Sequence, residues 1–286
     1  MNQIQLTLQG PRNILSTDLE IIKRIALLTH AERIVPVGAQ AVRLENARCD
    51  QALKTQIEAE CYAALLDVTQ LPQPLKFDDF KLVAMDMDST LITIECIDEI
   101  ADMQGLKPQV AEITEAAMRG EIEFRESLTR RVGLLKGLDA AALQKVYDQR
   151  LRLSMGAEQM LQAMQAAGLK TLLVSGGFTF FTERMKTRLA LDYTHANVLE
   201  IQDGKLTGKV VGGIVDGDEK RHTVQRVCEE LGISPRQAIV MGDGANDLKM
   251  MGIAGLSVAF RAKPVVRAQA DVALNFIGLD GVLNLF

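Results

Sequence analysis

Lys81-Leu82-Val83-Ala84-Met85-Asp86-Met87-Asp88-Ser89-Thr90 is the stretch on which the fold turns. A short apolar run without alternation, ending abruptly on an aspartate, reads as a strand covered on both faces in a parallel sheet. The pattern recurs twice. Thr171-Leu172-Leu173-Val174 runs into Ser175-Gly176-Gly177, and Ala238-Ile239-Val240-Met241 runs into Gly242-Asp243-Gly244-Ala245-Asn246-Asp247. Between these strands, residues 92–153 are rich in Glu, Ala, Lys and Leu with no clear strand. Residues 179–190 and 220–232 are helical in character, and Asp203-Gly204 between β-like segments signals a hairpin near 197–212. Strands alternating with helices predict an α/β protein with a doubly wound parallel sheet. A helical insert of about residues 92–155 thus follows the first strand.

The chain before this stretch reads differently. Ile4, Leu6 and Leu8 alternate with polar residues, the mark of a half-buried strand. Leu19, Ile22, Ala26 and Thr29 recur at helical spacing. Short apolar segments at 33–37 and 41–45 flank Gly38. A second helix over 50–63 turns Ala52, Leu53, Ile57 and Cys61 inward, and Leu65 to Val68 suggest a last strand. The order β-α-β-β-α-β predicts a ferredoxin-like α+β unit over residues 1–75. Leu71-Pro72-Gln73-Pro74 reads as a linker to a second domain over 78–286.

Composition narrows the chemistry. In 286 residues, 48% are hydrophobic and 24% charged, with a net charge of −5. That suits a protein with a substantial core, without the basic stripe of a nucleic-acid surface. There is no signal-peptide pattern at the N-terminus and no apolar run near the ~18 residues of a membrane span. The expectation is a soluble, cytoplasmic protein with neither nucleic-acid nor membrane partners. Cys49, Cys61, Cys96 and Cys228 fit no zinc spacing and read as reduced thiols. His30, His195 and His222 stand apart, and Arg221-His222 is followed by Thr223 rather than Gly. If the protein is a hydrolase, carboxylates must do the work.

Ligands of open α/β sheets bind beyond the carboxyl ends of the strands, so the three polar turns are candidates for one site. Asp86 and Asp88, two apart at the end of an extended strand, point the same way. A carboxylate ionised at neutral pH can attack phosphorus without a base, giving an acyl phosphate. A second carboxylate, protonated, can give its proton to the leaving alcohol and then activate water. Asp243 and Asp247 extend the acidic cluster. A hard cation such as Mg²⁺, held by Asp86 and Asp243, suits carboxylates shared with a phosphate. Ser175 and Gly176 offer a hydroxyl and backbone N–H groups to an anion. Lys220, placed at the opening of a helix, offers a point charge, although alone it reads as solvated surface.

In this order, Asp86 to Thr90, Ser175 to Gly177, Lys220 and Gly242 to Asp247 resemble the four motifs of the haloacid dehalogenase superfamily over about residues 78–286. Thr93-Ile94-Glu95, Ile97-Asp98-Glu99-Ile100, Phe124, Ser127-Leu128 and Arg130-Arg131-Val132 narrow the resemblance to phosphoserine phosphatases. The resemblance implies that the helical insert, about 92–155, is a cap, with Asp86 as nucleophile and Asp88 as general acid/base. It implies Mg²⁺ on Asp86, the Asp88 backbone carbonyl and Asp243, steadied by Asp247. Phosphate would rest on Ser175, Gly176 and Lys220. Glu95 would pair with a substrate ammonium and Arg131 with its carboxylate, with Met118 and Phe124 on the apolar side and Asn246 touching substrate or phosphate. The implied reaction is hydrolysis of O-phospho-L-serine to L-serine, the last step of serine biosynthesis. Open beside it stand transfer to homoserine or another alcohol, another small phosphorylated metabolite, and a non-enzymatic amino-acid sensor. The N-terminal unit resembles ACT-like regulatory domains by topology and chain order, which leaves amino-acid binding or pairing into a homodimer as its roles.

Overall fold

In the computed structural model, which describes residues 4–286, the decisive stretch is the central strand of a seven-stranded sheet. Two sheets make up the chain. The first is built by β1 (Ile4–Gln9), β2 (Arg33–Pro36), β3 (Ala41–Ala47) and β4 (Asp67–Leu71), with α1 (Ile14–Thr17), α2 (Leu19–Leu28) and α3 (Gln51–Ala63) on one face. Its order is β2-β3-β1-β4, and every pairing is antiparallel. That is the ferredoxin-like arrangement the sequence predicts.

The second sheet begins with β5 (Leu82–Met85). After it come α4 (Cys96–Asp102), α5 (Lys107–Met118), α6 (Phe124–Leu134), α7 (Ala141–Gln149) and α8 (Ala157–Ala166). The chain returns through β6 (Lys170–Phe178), α9 (Thr179–Leu189) and the hairpin of β7 (Tyr193–Gln202) and β8 (Lys205–Val211). It finishes with α10 (Gly217–Glu230), β9 (Ala238–Gly242), α11 (Leu248–Met251), β10 (Leu256–Phe260), α12 (Pro264–Arg267) and β11 (Val272–Leu274). The strand order is β11-β10-β9-β5-β6-β7-β8, parallel except for the β7–β8 hairpin.

The unbroken apolar run of β5 has a direct cause. Val83 and Met85 enter one core with the cap and α8, whereas Leu82 and Ala84 enter another with Val224, Val227 and Cys228 of α10. Both faces are covered, so alternation would bury a polar side chain. Each fully buried Leu, Val or Met here contributes about 1.5–3 kcal/mol. β9 divides the same way, with Ile239 and Met241 on one side and Ala238 and Val240 on the other.

Several boundaries differ from the sequence reading. Leu65 is half exposed with φ +58°, in the turn that ends α3, so the last strand of the first sheet begins at Asp67 and takes in Leu71. Ala52 faces solvent; Ile57 and Cys61 hold α3 to its sheet. The Ser175-Gly176-Gly177 run stays extended within β6, and a register shift against β7 absorbs it. α10 starts at Gly217, because Asp216 accepts hydrogen bonds from the Asp218 and Glu219 amides and caps it there. Lys220 therefore lies inside the first turn rather than opening the helix.

The polar face of the first sheet is buried against the chain's end. Asp67 accepts hydrogen bonds from the backbone of Asn275, Phe276 and Ile277, and Arg43 donates to the carbonyls of Asn284 and Phe286. Phe286 stacks on Phe77 at 4.0 Å between ring centroids. All four cysteines are free thiols. No helix among the described residues is long and apolar enough to cross a membrane.

Candidate active site

β5 sits between β9 and β6, so the residues that follow all three strands converge. Asp86 is fixed at the tip by its own amide, which donates to the Met241 carbonyl of β9 at 3.0 Å. The chain then turns sharply. Asp88 is extended (φ −65°, ψ 136°) and Ser89 adopts a left-handed conformation (φ +55°). Asp86 and Asp88 do reach the same cavity, but through this turn rather than along a continuing strand. That cavity, about 250 Å³, is also lined by Glu95, Phe124, Arg131, Ser175, Gly176, Asp243 and Asn246. Nine of the twelve sequence-predicted residues thus share one space.

Lys220 and Asp247 lie immediately behind its wall. Lys220 is fully buried, and its Nζ stands 2.9 Å from Asp86 Oδ2 and 2.7 Å from Asp247 Oδ1. The sequence held a signal for this: Lys220 lies on the same face as Val224, Val227 and Cys228 at helical spacing, so it belongs to the apolar stripe of α10. Asp247 spends its second oxygen on the amides of Asp243 and Gly244, at 3.2 and 3.0 Å. Met118 closes α5, and its side chain lies outside the described residues.

The three carboxylates Asp86, Asp243 and Asp247 bring oxygens within 4.8 Å of one another. Burial and then the charge of Asp247 push the Asp86 pKa well above the ordinary carboxylate range, against the pull of Lys220. The same two causes raise Asp243 to about 7. Burial alone would lower Lys220, but Asp247 and Asp86 outweigh it and hold the ammonium charged. Three carboxylates against one ammonium leave excess negative charge, and a hard divalent cation is the group that relieves it. Both Asp247 oxygens are engaged, and Asp86 accepts from the Met87 amide at 2.7 Å on Oδ1 as well as from Lys220 on Oδ2, so of the three carboxylates only Asp243 keeps an oxygen, Oδ2, that accepts no hydrogen bond among the described residues.

Asp88 is different in kind. Burial, followed by the charge of Glu95, raises its pKa to about 8, so at neutral pH it holds a proton. The Cys96 amide lies 3.3 Å from its Oδ1. Around the rim, the Ser89 hydroxyl donates to Glu95 at 2.6 Å. Glu95 is open to water through the cavity but crowded by protein elsewhere, and burial raises its pKa. Arg131 is half-buried; its Nε finds no hydrogen-bond partner among the described residues, and burial lowers its pKa despite Asp98 and Glu95.

Sequence reasoning missed the supports. Thr90 donates to Asp243 Oδ1 at 3.1 Å. Asn197 donates to the Gly176 carbonyl at 2.7 Å and accepts from the Val215 amide at 2.8 Å, tying β6 to the segment before α10. Gly177 leaves Asp88 its room, since a Cβ there would stand 2.7 Å from Asp88 Oδ2. Thr90 lies in the first motif without a role that the sequence assigns, and no sequence signal marks Asn197, because their partners are far away along the chain. Lys263 and Asp98 also line the cavity.

Residues 80–255 match the family of haloacid dehalogenase-like hydrolases, and residues 6–57 match a domain of unknown function, DUF4072. A phosphoserine phosphatase of Polaromonas sp. is 62% identical over 216 residues, covering 74% of this chain and 92% of that one. A hydrolase of the haloacid dehalogenase family from Salmonella enterica serovar Typhi superposes with a TM-score of 0.87 at 31% identity, over 99% of this chain and 98% of its own. The unliganded structure of a probable phosphoserine phosphatase from Vibrio cholerae superposes at 0.81 with 34% identity, over 99% of this chain and 86% of its own. By sequence and by fold, the chain belongs to the haloacid dehalogenase-like hydrolases, within the family of the phosphoserine phosphatases.

Proposed function

We propose that the chain is a phosphoserine phosphatase, hydrolysing O-phospho-L-serine to L-serine and phosphate through a phosphoryl group carried on Asp86. One observation carries the substrate: Glu95 and Arg131, opposite charges borne by the cap, line the same cavity as Asp86 and Asp88. An amino acid presents both complementary charges, and a phosphate ester lacking them would leave this pair unmatched.

The chemistry follows from protonation states. An Asp86 oxygen attacks phosphorus and forms the new P–O bond. As the bond to the serine oxygen breaks, Asp88 gives that oxygen its proton. Serine leaves, and Asp88, now a carboxylate, takes a proton from water as the water oxygen attacks phosphorus. Phosphate departs and Asp86 is regenerated. Ser175, the Gly176 amide and Lys220 hold the phosphate oxygens. Asn246 contacts substrate or phosphate, and Met118 and Phe124 form the apolar side. Asp86, the Asp88 carbonyl and Asp243, steadied by Asp247, would hold Mg²⁺, which would supply positive charge to screen a phosphate dianion from the attacking carboxylate.

The N-terminal unit we read as an ACT-like module that binds an amino acid or pairs two chains. Its ferredoxin-like topology and position ahead of the catalytic unit support this. Serine titrated into the whole protein, followed by calorimetry and sedimentation, separates these two roles.

The test of function is phosphate release from phosphoserine, phosphothreonine, phosphoethanolamine and sugar phosphates, with added homoserine to reveal transfer. A preference for phosphoserine is expected, as is loss of turnover in Asp86→Asn. Equal rates across the panel would remove the substrate claim.

A further inference from the structure

We infer that Ser127 is a specificity-determining contact, its hydroxyl donating to the same substrate carboxylate that Arg131 receives. This rests on the phosphoserine reading above and adds a second donor to it. Ser127 is 1% exposed, and its Oγ has no hydrogen-bond partner among the described residues. A buried hydroxyl left unmatched costs about 1–3 kcal/mol and calls for an explanation.

The usual escape for a hydroxyl on a helix is the carbonyl one turn back. Thr29, Thr55, Thr114, Thr129 and Thr187 all take it in this protein. Ser127 does not. Beyond the N-terminal unit, the enclosed side-chain atoms without partners, among the described residues, are Ser127 Oγ, Arg131 Nε and Arg221 Nε. Two of these three stand one turn apart on α6, on the helix face shared by residues four apart.

Their setting points to a ligand. Ser127, Phe124 and Arg131 line an outer cavity of about 700 Å³, and Phe124 and Arg131 also line the inner one. Arg125 lines the same outer cavity but is already paired with Asp216 at 2.6 Å. The two unmatched atoms are thus donors enclosed on one face of α6, in residues that both line the outer cavity, and an acceptor with two oxygens seated against that face would meet both. A carboxylate satisfies both at once, as neither an ammonium nor an apolar group can.

The experiment uses the full chain with Mg²⁺ and compares wild type, Ser127→Ala and Ser127→Cys. Each is measured with phosphoserine and with p-nitrophenyl phosphate, which has no carboxylate. Loss of one hydrogen bond to a charged group is expected to raise KM for phosphoserine about tenfold, with kcat within about twofold. KM for p-nitrophenyl phosphate should stay unchanged. The cysteine variant, nearly isosteric and a weak donor, guards against a packing effect and should move the same way. Unchanged KM for phosphoserine, or an equal rise for both substrates, overturns the assignment while leaving the phosphoserine reading intact. A wild type with no preference for phosphoserine overturns both.

Discussion

Lys220 donates to Asp86 across 2.9 Å in a place that water does not reach. The pair stands at the junction of β5 and α10, and Asp247 completes it from the other side. A lysine here is not a surface charge that happens to point inward. It is the positive centre around which the acidic turns after β5 and β9 are assembled.

Removing that centre should therefore cost stability as well as activity. Lys220→Met leaves two buried carboxylates facing each other unpaired. Breaking one partner from a buried charge pair costs about 3–5 kcal/mol. Urea unfolding in the presence of a chelator should show a loss of that size, with phosphate release abolished. A loss under about 1 kcal/mol would mean the acids find other partners.

The protonation of Asp88 sets a pH limit. Its pKa, raised to about 8 by burial and by Glu95, keeps the general acid protonated at neutral pH. Raising the pH through that value removes the proton the leaving serine needs. So kcat/KM for phosphoserine should fall above about pH 8. Asp88→Asn should lower turnover by about 10²–10⁴-fold and erase that limb of the profile. An unchanged limb in the variant would assign the ionisation elsewhere.

Gly177 offers a test of geometry alone. A methyl group there meets Asp88 Oδ2 at 2.7 Å, Ser175 Oγ at 3.0 Å and the Met87 methyl at 3.1 Å. Gly177→Ala must push the acid away from its station. Misplacement by about 1 Å can cost about 10²-fold, and kcat is expected to fall by that order. Full activity in the variant would show that Asp88 tolerates displacement.

Asp192, far from the site, tests what holds β6 to β7. It accepts from the Thr171 amide and hydroxyl, both at 2.9 Å, and from Lys170 at 2.6 Å. Burial works to raise its pKa, but these bonds outweigh it and hold it below the ordinary value. A lowered folded pKa gives stability that is complete above the unfolded value, about 3.9, and is lost as pH falls through the folded one. Asp192→Asn should cost about 1–2 kcal/mol at pH 7 in urea unfolding, with the gap closing below about pH 4. A gap that persists in acid would rule out the charge as its source.

Much of this was legible in the sequence because the parallel sheet writes its strands as unbroken apolar runs. Leu82 to Met85 and Ala238 to Met241 had to be strands covered on both faces, and the acidic turns after them had to share an end of the sheet. The alternation of Ile4, Leu6 and Leu8 likewise announced a sheet with one covered face. What stayed hidden depended on distance along the chain. The Thr90 bond to Asp243 and the Asn197 bridge between Gly176 and Val215 join residues that no local pattern relates. Lys220 alone reads as solvated surface, and the structure overturns that: the apolar stripe it shares with Val224, Val227 and Cys228 buries it, and its partners emerge only when β5 and β9 lie side by side. Leu65 misled because an apolar side chain at the end of a helix looks like the start of a strand, and only its left-handed backbone shows otherwise.

Covalent capture on Asp86 is the most direct measurement. The enzyme with Mg²⁺ and labelled phosphoserine is quenched in acid within one turnover, digested, and the phosphorylated peptide sequenced by mass spectrometry. The expected result is a phosphoryl group on Asp86, absent in Asp86→Asn and accumulating when Asp88 cannot activate water. Label on any other residue, or turnover without a covalent species, would contradict it.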